Sequence, residues 1–256
     1  MDALPMKEES GLPFSATGDK AHTCGHDLHA AIAISAAEMF IKEKKNFKGK
    51  IKIMFQPAEE IFEGSKMMIE EGILENPKVD VAIALHTALD EEPGSVEYNE
   101  GYFTTSCDNF KINIKGKGGH GAYPLTTIDP INAAFNIYQN FMELVGREAP
   151  PQETVTLTFG MMSAGSNSNI IPETAELQGT LRTYSPEVRK NLKARMQDIV
   201  DGVMKTTRSE INLDFFAGVP SLLSDPKITA ELVGYISEAN PDLKLIPNTQ
   251  IMASED

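Results

Sequence analysis

The sequence predicts an α/β fold: a three-layer α/β/α domain into which a ferredoxin-like α+β domain is inserted. Three observations carry this. Strand-like and helix-like patterns alternate through the first part of the chain, which is the pattern of a sheet covered by helices. Val79–Leu85 is a nearly continuous apolar run ending at His86, as expected of a buried parallel strand. From Phe110 to Phe216 the order becomes β-α-β-β-α-β, the ferredoxin-like order. The boundaries fall at 1–107, 108–217 and 218–256, the last segment returning to the first domain.

Taken in order, residues 1–21 are irregular, punctuated by Pro5, Gly11, Pro13 and Gly18. Helical periodicity begins after His22–His29. Leu28, Ala31, Ile32, Ser35, Ala36, Met39 and Phe40 share a stripe, with Asp27 placed to cap the start. Ile51, Ile53 and Phe55 alternate as a strand that runs into Gln56-Pro57-Ala58-Glu59-Glu60. A second helix follows, with Ile61, Met67, Met68 and Ile69 inward and Gly72 as its stop. In the inserted domain, Phe110, Ile112 and Ile114 form a strand. A helix spans about 129–147 with Ile131, Ala134, Phe135, Tyr138, Phe141, Met142 and Val145 as its apolar stripe. Strands follow at 154–163 and 174–184, then a helix from Pro186 to about 207 and a strand at 211–216. A helix near 227–237 and a short strand at 244–246 close the pattern.

The chain has 256 residues, 41% of them hydrophobic, which suits one or two globular domains. A formal net charge of -14 argues against nucleic acid or an anionic membrane as partner. No apolar run approaches the roughly 18–20 residues of a membrane span. Two cysteines make no disulfide framework, and a reduced cytoplasmic setting is expected.

Three of the five histidines and one of the two cysteines fall within His22-Thr23-Cys24-Gly25-His26-Asp27-Leu28-His29. Imidazole and thiolate donors crowded this closely point to a transition-metal site. Alone, each candidate has a bland reading: a cysteine as a small buried hydrophobe, a Glu-Glu pair as a helix start. Together they converge, because Cys24, His26, Glu59, Glu60 and His86 all lie just past the end of an element. In α/β sheets that is where sites gather. Glu59, next to a candidate ligand, is placed to serve as a base. A Cys24 nucleophile with a histidine base is also chemically possible, but it leaves Glu59, Glu60 and His86 without a role. Gly116, Gly118 and Gly121 match a dinucleotide-binding fingerprint, yet Tyr123-Pro124 cannot open the helix that motif requires.

Met1-Asp2-Ala3-Leu4-Pro5, His22-x-Cys24-Gly25-His26-Asp27-x-His29, Gln56-Pro57-Ala58-Glu59-Glu60 and Leu85-His86 resemble the M20 family of metal-dependent peptidases and amidohydrolases, in its N-acyl-amino-acid amidohydrolase branch. The resemblance implies hydrolysis of the amide bond of N-acyl-amino acids at a centre of two divalent ions, zinc, manganese, nickel or cobalt. Cys24 would bridge the ions, His26, Glu60 and His86 would be further ligands, and Glu59 the general base. Asp2 would orient a liganding histidine, with His22 and His29 in support. The inserted domain would be a lid and dimerisation domain. Its His120 would stabilise the oxyanion in the partner subunit's site, and Asn169 and Arg182 would hold the substrate carboxylate. The resemblance also implies a catalytic domain truncated at both ends, lacking a last histidine ligand. Two other readings follow from it: a dimerising or weakly metal-binding remnant, or a related dipeptidase or carboxypeptidase activity.

Overall fold

A computed structural model describes residues 2–88 and 91–256; Met1, the first residue of the Met1–Pro5 motif, and Leu89 and Asp90 lie outside it. The fold is mixed α/β. In chain order the elements are α1 (His26–Lys42), α2 (Gly64–Glu70), β1 (Ser95–Glu97), β2 (Tyr102–Thr104), β3 (Ser106–Lys115), β4 (Gly119–His120), α3 (Pro130–Glu148), β5 (Val155–Ala164), β6 (Ile170–Ile171), β7 (Thr174–Thr183), α4 (Pro186–Thr207), β8 (Glu210–Val219), β9 (Leu222–Leu223), α5 (Pro226–Ala239) and β10 (Lys244–Ile246). The chain divides into two compact units. One comprises residues 1–97, 231–246 and 256; the other comprises 98–230 and 247–255.

The second unit holds the well-packed core. β3, β5, β7 and β8 form an antiparallel sheet in the order β5-β7-β3-β8. With α3 and α4 this is the β-α-β-β-α-β arrangement that the spacing predicts. Phe110, Ile112 and Ile114 alternate along β3 and are completely or almost completely buried. Phe110 packs edge-on to Phe141 and Phe159, ring centroids 6.0 and 5.3 Å apart. Helix α4 presents Val188, Leu192, Met196 and Val200 to the sheet at four-residue spacing. Its start is fixed by Pro186 and by the Ser185 hydroxyl, which accepts from the Val188 amide.

Helix α3 corrects the predicted stripe. Its buried residues are Pro130, Ala133, Ala134, Ile137, Phe141 and Leu144, whereas Ile131, Phe135, Tyr138 and Met142 are exposed. The helix carries two apolar stripes, and periodicity alone cannot say which one the sheet takes.

In the first unit, β1 and β10 pair in parallel, with Val96 opposite Leu245. The predicted strands at 51–55 and 79–85 have no ladder among the described residues, and Val81, Ile83 and Leu85 are exposed. An apolar run reports what side chains want; a strand also needs a neighbour to take its amides and carbonyls. Helix α1 forms as predicted, but Leu28, Ile32, Met39 and Phe40 of its stripe are exposed, since no described element covers that face. Its cap is Gly25 and not Asp27, which lies in the first turn. The second helix is shorter than predicted: a 3-10 turn at Glu59–Ile61 precedes α2, and Ile61, Met67 and Ile69 are exposed. Gly72 does end it, at φ 84, its amide donating to the Ile69 carbonyl.

Candidate metal centre

Every donor of the cluster comes from a loop or a helix start in the first unit. Gly25 caps α1 at φ 80, and a Cβ there would lie 2.6 Å from Thr87 Oγ1. Glycine therefore lets the Cys24–His26 turn approach the segment that carries His86. The second acidic stretch is a tight loop, residues 56–65. Ala58 and Phe62 adopt left-handed backbone, φ 54 and 57, on either side of the Glu59–Ile61 turn. Gly64 passes so close to Pro57 that a Cβ would lie 1.6 Å from the Pro57 carbonyl oxygen.

These loops bring the predicted donors together. One ligand atom each from Cys24, His26 and His86 lies within 4.8 Å of the others, and the same holds for His26, Glu59 and Glu60. His26 belongs to both triads. Cys24 Sγ is 3.4 Å from His86 Nε2. His26 Nε2 is 3.5 Å from Glu59 Oε2 and 3.7 Å from Glu60 Oε1.

The surroundings fix how these groups point. His86 Nδ1 lies 2.7 Å from the Thr87 carbonyl, so Nδ1 carries the proton and Nε2 offers its lone pair toward Cys24. The Thr87 amide donates to His29 Nε2 at 3.0 Å, which makes His29 a support for the His86 segment. Burial, followed by repulsion from His86 and His26, holds the His29 imidazole below its ordinary pKa. Asp2 acts on the acidic loop itself, accepting from the Ala58 amide at 2.6 Å and the Glu60 amide at 3.1 Å.

The residues fit a metal ion. Glu60 Oε1 is buried and has no hydrogen-bond partner among the described residues, an unusual state for a carboxylate oxygen that a bound cation would explain. Thiolate, imidazole and carboxylate together suit zinc, nickel, cobalt or manganese.

His120, Asn169 and Arg182 lie in the second unit. The β4–β6 ladder pairs His120 with Ile170, and the Gly121 amide donates to the Asn169 carbonyl, so His120 and Asn169 are neighbours. The Ala122 amide donates to His120 Nδ1 at 3.1 Å, which leaves the ring proton on Nε2. Arg182 Nη1 donates to the Met252 carbonyl and to Ser254 Oγ, both at 3.0 Å. The glycines of the apparent dinucleotide fingerprint serve backbone packing: Cβ atoms on Gly116, Gly118 and Gly121 would lie 2.2, 2.9 and 3.2 Å from the carbonyl oxygens of Ile128, Ile171 and Asn169.

Sequence reasoning missed Thr87 and Asp256. Adjacency to His86 is a usable signal for Thr87. Asp256 binds the Gln56 side-chain amide and the Ser65 backbone amide, and nothing in its local sequence announces this.

Comparison with known proteins adds the family. The peptidase family M20/M25/M40 matches residues 1–256. The N-acetyl-L-cysteine deacetylase of Bacillus subtilis (strain 168) is 35% identical over 246 residues, 96% of this chain and 58% of the relative. The N-acetyldiaminopimelate deacetylase of Geobacillus sp. (strain WCH70) is 33% identical, covering 100% of this chain and 68% of the relative. The crystal structure of a dinuclear metal-binding M20 peptidase from Bacillus subtilis is similar at TM-score 0.79 and 30% identity, over 99% of this chain and 65% of that one. The chain thus spans about three-fifths to two-thirds of the length of these proteins.

Proposed function

The chain belongs to the peptidase family M20/M25/M40, and from that premise we propose that it hydrolyses the amide bond of N-acyl-amino acids, N-acetyl compounds foremost, with two divalent ions. The observation that carries this reading is the pair of donor triads sharing His26, with Glu60 Oε1, buried and without a hydrogen-bond partner among the described residues, in one of them. The acetyl preference rests on the relatives described as N-acetyl-L-cysteine and N-acetyldiaminopimelate deacetylases.

Cys24, His26, Glu60 and His86 would hold the ions. When bound, such ions polarise the acyl carbonyl and acidify the attacking water. Glu59 takes the proton of that water and passes it to the departing nitrogen. The new C–O bond and the broken C–N bond yield a carboxylate and a free amino acid. His120 donates Nε2–H to the tetrahedral oxyanion, a tautomer supported by the Ala122 amide on Nδ1. Asn169 and Arg182 hold the substrate carboxylate, the latter with its guanidinium steadied by Met252 and Ser254.

We assign His120 to the site of a second copy, joined through the inserted domain. The exposed stripe Ile131, Phe135, Tyr138 and Met142 on α3 offers an apolar seam for that contact. A reduced compartment, the cytoplasm, suits a thiolate ligand. No helix among the described residues is long and apolar enough to cross a membrane.

The test is Glu59→Gln. Turnover of an N-acetyl-amino acid falls by roughly 10²–10⁴-fold while cobalt uptake stays at the level of the unaltered chain. Unchanged turnover would refute the base assignment.

A further inference from the structure

The loop at 56–65 is held in a conformation its residues do not favour. Ala58 and Phe62 both sit in the left-handed region, where a Cβ crowds the following carbonyl. Within the loop, the Glu63 and Gly64 amides both donate to the Ala58 carbonyl, at 3.2 and 3.3 Å, and the Phe62 amide donates to Glu59 O at 2.8 Å. Asp2 grips the middle of the loop through the Ala58 and Glu60 amides. The two stems pack together where Gly64 passes Pro57, and a carboxylate bridges them. Asp256 Oδ1 accepts from the Gln56 side-chain amide, and Asp256 Oδ2 accepts from the Ser65 backbone amide at 3.1 Å. Gln56 enters the loop and Ser65 leaves it, so the Asp256 carboxylate closes a ring around the segment that carries Glu59 and Glu60.

We propose that Asp256 is a positioning residue for the metal centre: by bridging Gln56 and Ser65 it holds the acidic loop closed, with Glu59 and Glu60 beside His26. The proposal rests on the metal-centre reading above. It differs from a plain helix-capping role. A cap would need only the Ser65 amide, at the second residue of α2, whereas the contact to Gln56 reaches the opposite stem. Loss of the bridge lets the stems separate, and the carboxylates then no longer meet His26 at ligating distance.

Cobalt titration, followed by its visible absorption, tests this on the unaltered chain and on Asp256→Ala, Asp256→Asn and Gln56→Ala. Asp256→Ala and Gln56→Ala weaken cobalt binding by about tenfold, the effect typical of a group that supports ligands without touching the metal. The metal-free thermal midpoint barely moves. Asp256→Asn retains cobalt binding, because its oxygen still accepts from Ser65 and its amide meets the Gln56 carbonyl after a flip of that side chain. With an N-acetyl-amino acid, kcat falls in Asp256→Ala while KM is unchanged. Cobalt affinity at the unaltered level in both alanine variants would overturn the proposal and leave the metal centre standing. Lower thermal stability with unaltered affinity would likewise overturn it in favour of a cap. An unaltered chain that takes up no cobalt would overturn the metal-centre reading itself. Should Asp256→Ala fail to fold, Gln56→Ala decides.

Discussion

Asp2→Ala removes the grip on the middle of the acidic loop, and the structure allows its cost to be worked out. The carboxylate accepts from two backbone amides, Ala58 at 2.6 Å and Glu60 at 3.1 Å. A hydrogen bond to a charged group contributes about 1.5–3 kcal/mol. Asp2 is partly exposed, so the lower end applies, about 3 kcal/mol for the pair. Against this stands the left-handed backbone at Ala58 and Phe62, about 1–2 kcal/mol each. Grip and strain are therefore of similar size, so that without Asp2 only the Asp256 bridge and the loop's internal hydrogen bonds oppose the strain, and the closed loop becomes a minor population. Apparent metal affinity falls with that population. A fall to roughly 1–10% closed weakens binding about 10–100-fold, equivalent to about 1.4–2.7 kcal/mol. Asp2→Asn keeps one accepting oxygen and turns an amide toward the second donor, so it falls between the two. Cobalt titration of the three proteins measures the effect. Cobalt affinity within about twofold of the unaltered chain in Asp2→Ala would refute the idea that this carboxylate controls the loop.

Three further outcomes follow from the second unit and the thiols. Asp108 is almost fully buried and accepts from Arg189 Nε at 2.6 Å, Arg189 Nη2 at 2.9 Å and Lys193 Nζ at 2.7 Å. Burial raises its pKa, but the hydrogen bonds and charges of Arg189 and Lys193 outweigh that and hold the carboxyl below its ordinary value. A depressed folded pKa stabilises the fold above the unfolded-chain value and loses that contribution as pH falls through the folded value. Asp108→Ala should cost about 3–5 kcal/mol in denaturant unfolding at neutral pH, and much less at a pH below the folded pKa; an equal cost at both would contradict the assignment. Cys107 is buried, and burial pushes its thiol up, so iodoacetamide should label only Cys24 in the native chain. Added zinc should protect Cys24, and rapid labelling of two thiols would count against this. Phe135→Glu places a charge in the exposed α3 stripe and should shift sedimentation from dimer to monomer, while a monomeric unaltered chain would remove the case for that seam.

The sequence was most informative where one short stretch contains both the signal and the geometry. Cys24 and His26 sit two residues apart at a helix start, Glu59 and Glu60 are adjacent, and His86 ends an apolar run, so each fragment of the donor set is visible locally. In the second unit, alternation on β3 and the starts of α3 and α4, the latter at Pro186, were equally readable, because pleat and proline chemistry are local. Two kinds of fact were not readable. The first is which of two apolar stripes a helix buries, as on α3, where the choice belongs to the sheet beneath it. The second is long-range support. The chain carries 37 acidic residues, so no single aspartate stands out by type, and Asp256 reaches the loop only through the fold. Donor atoms are therefore easier to read than the groups that aim them. Ligand chemistry restricts residue type narrowly, whereas any side chain able to accept from Gln56 and Ser65 could close the same loop. The positions where such substitutions remain tolerated, Asp256→Asn in particular, separate the two classes: an aiming group whose partner can flip to match survives replacement by the isosteric amide, and a ligand that must carry charge does not.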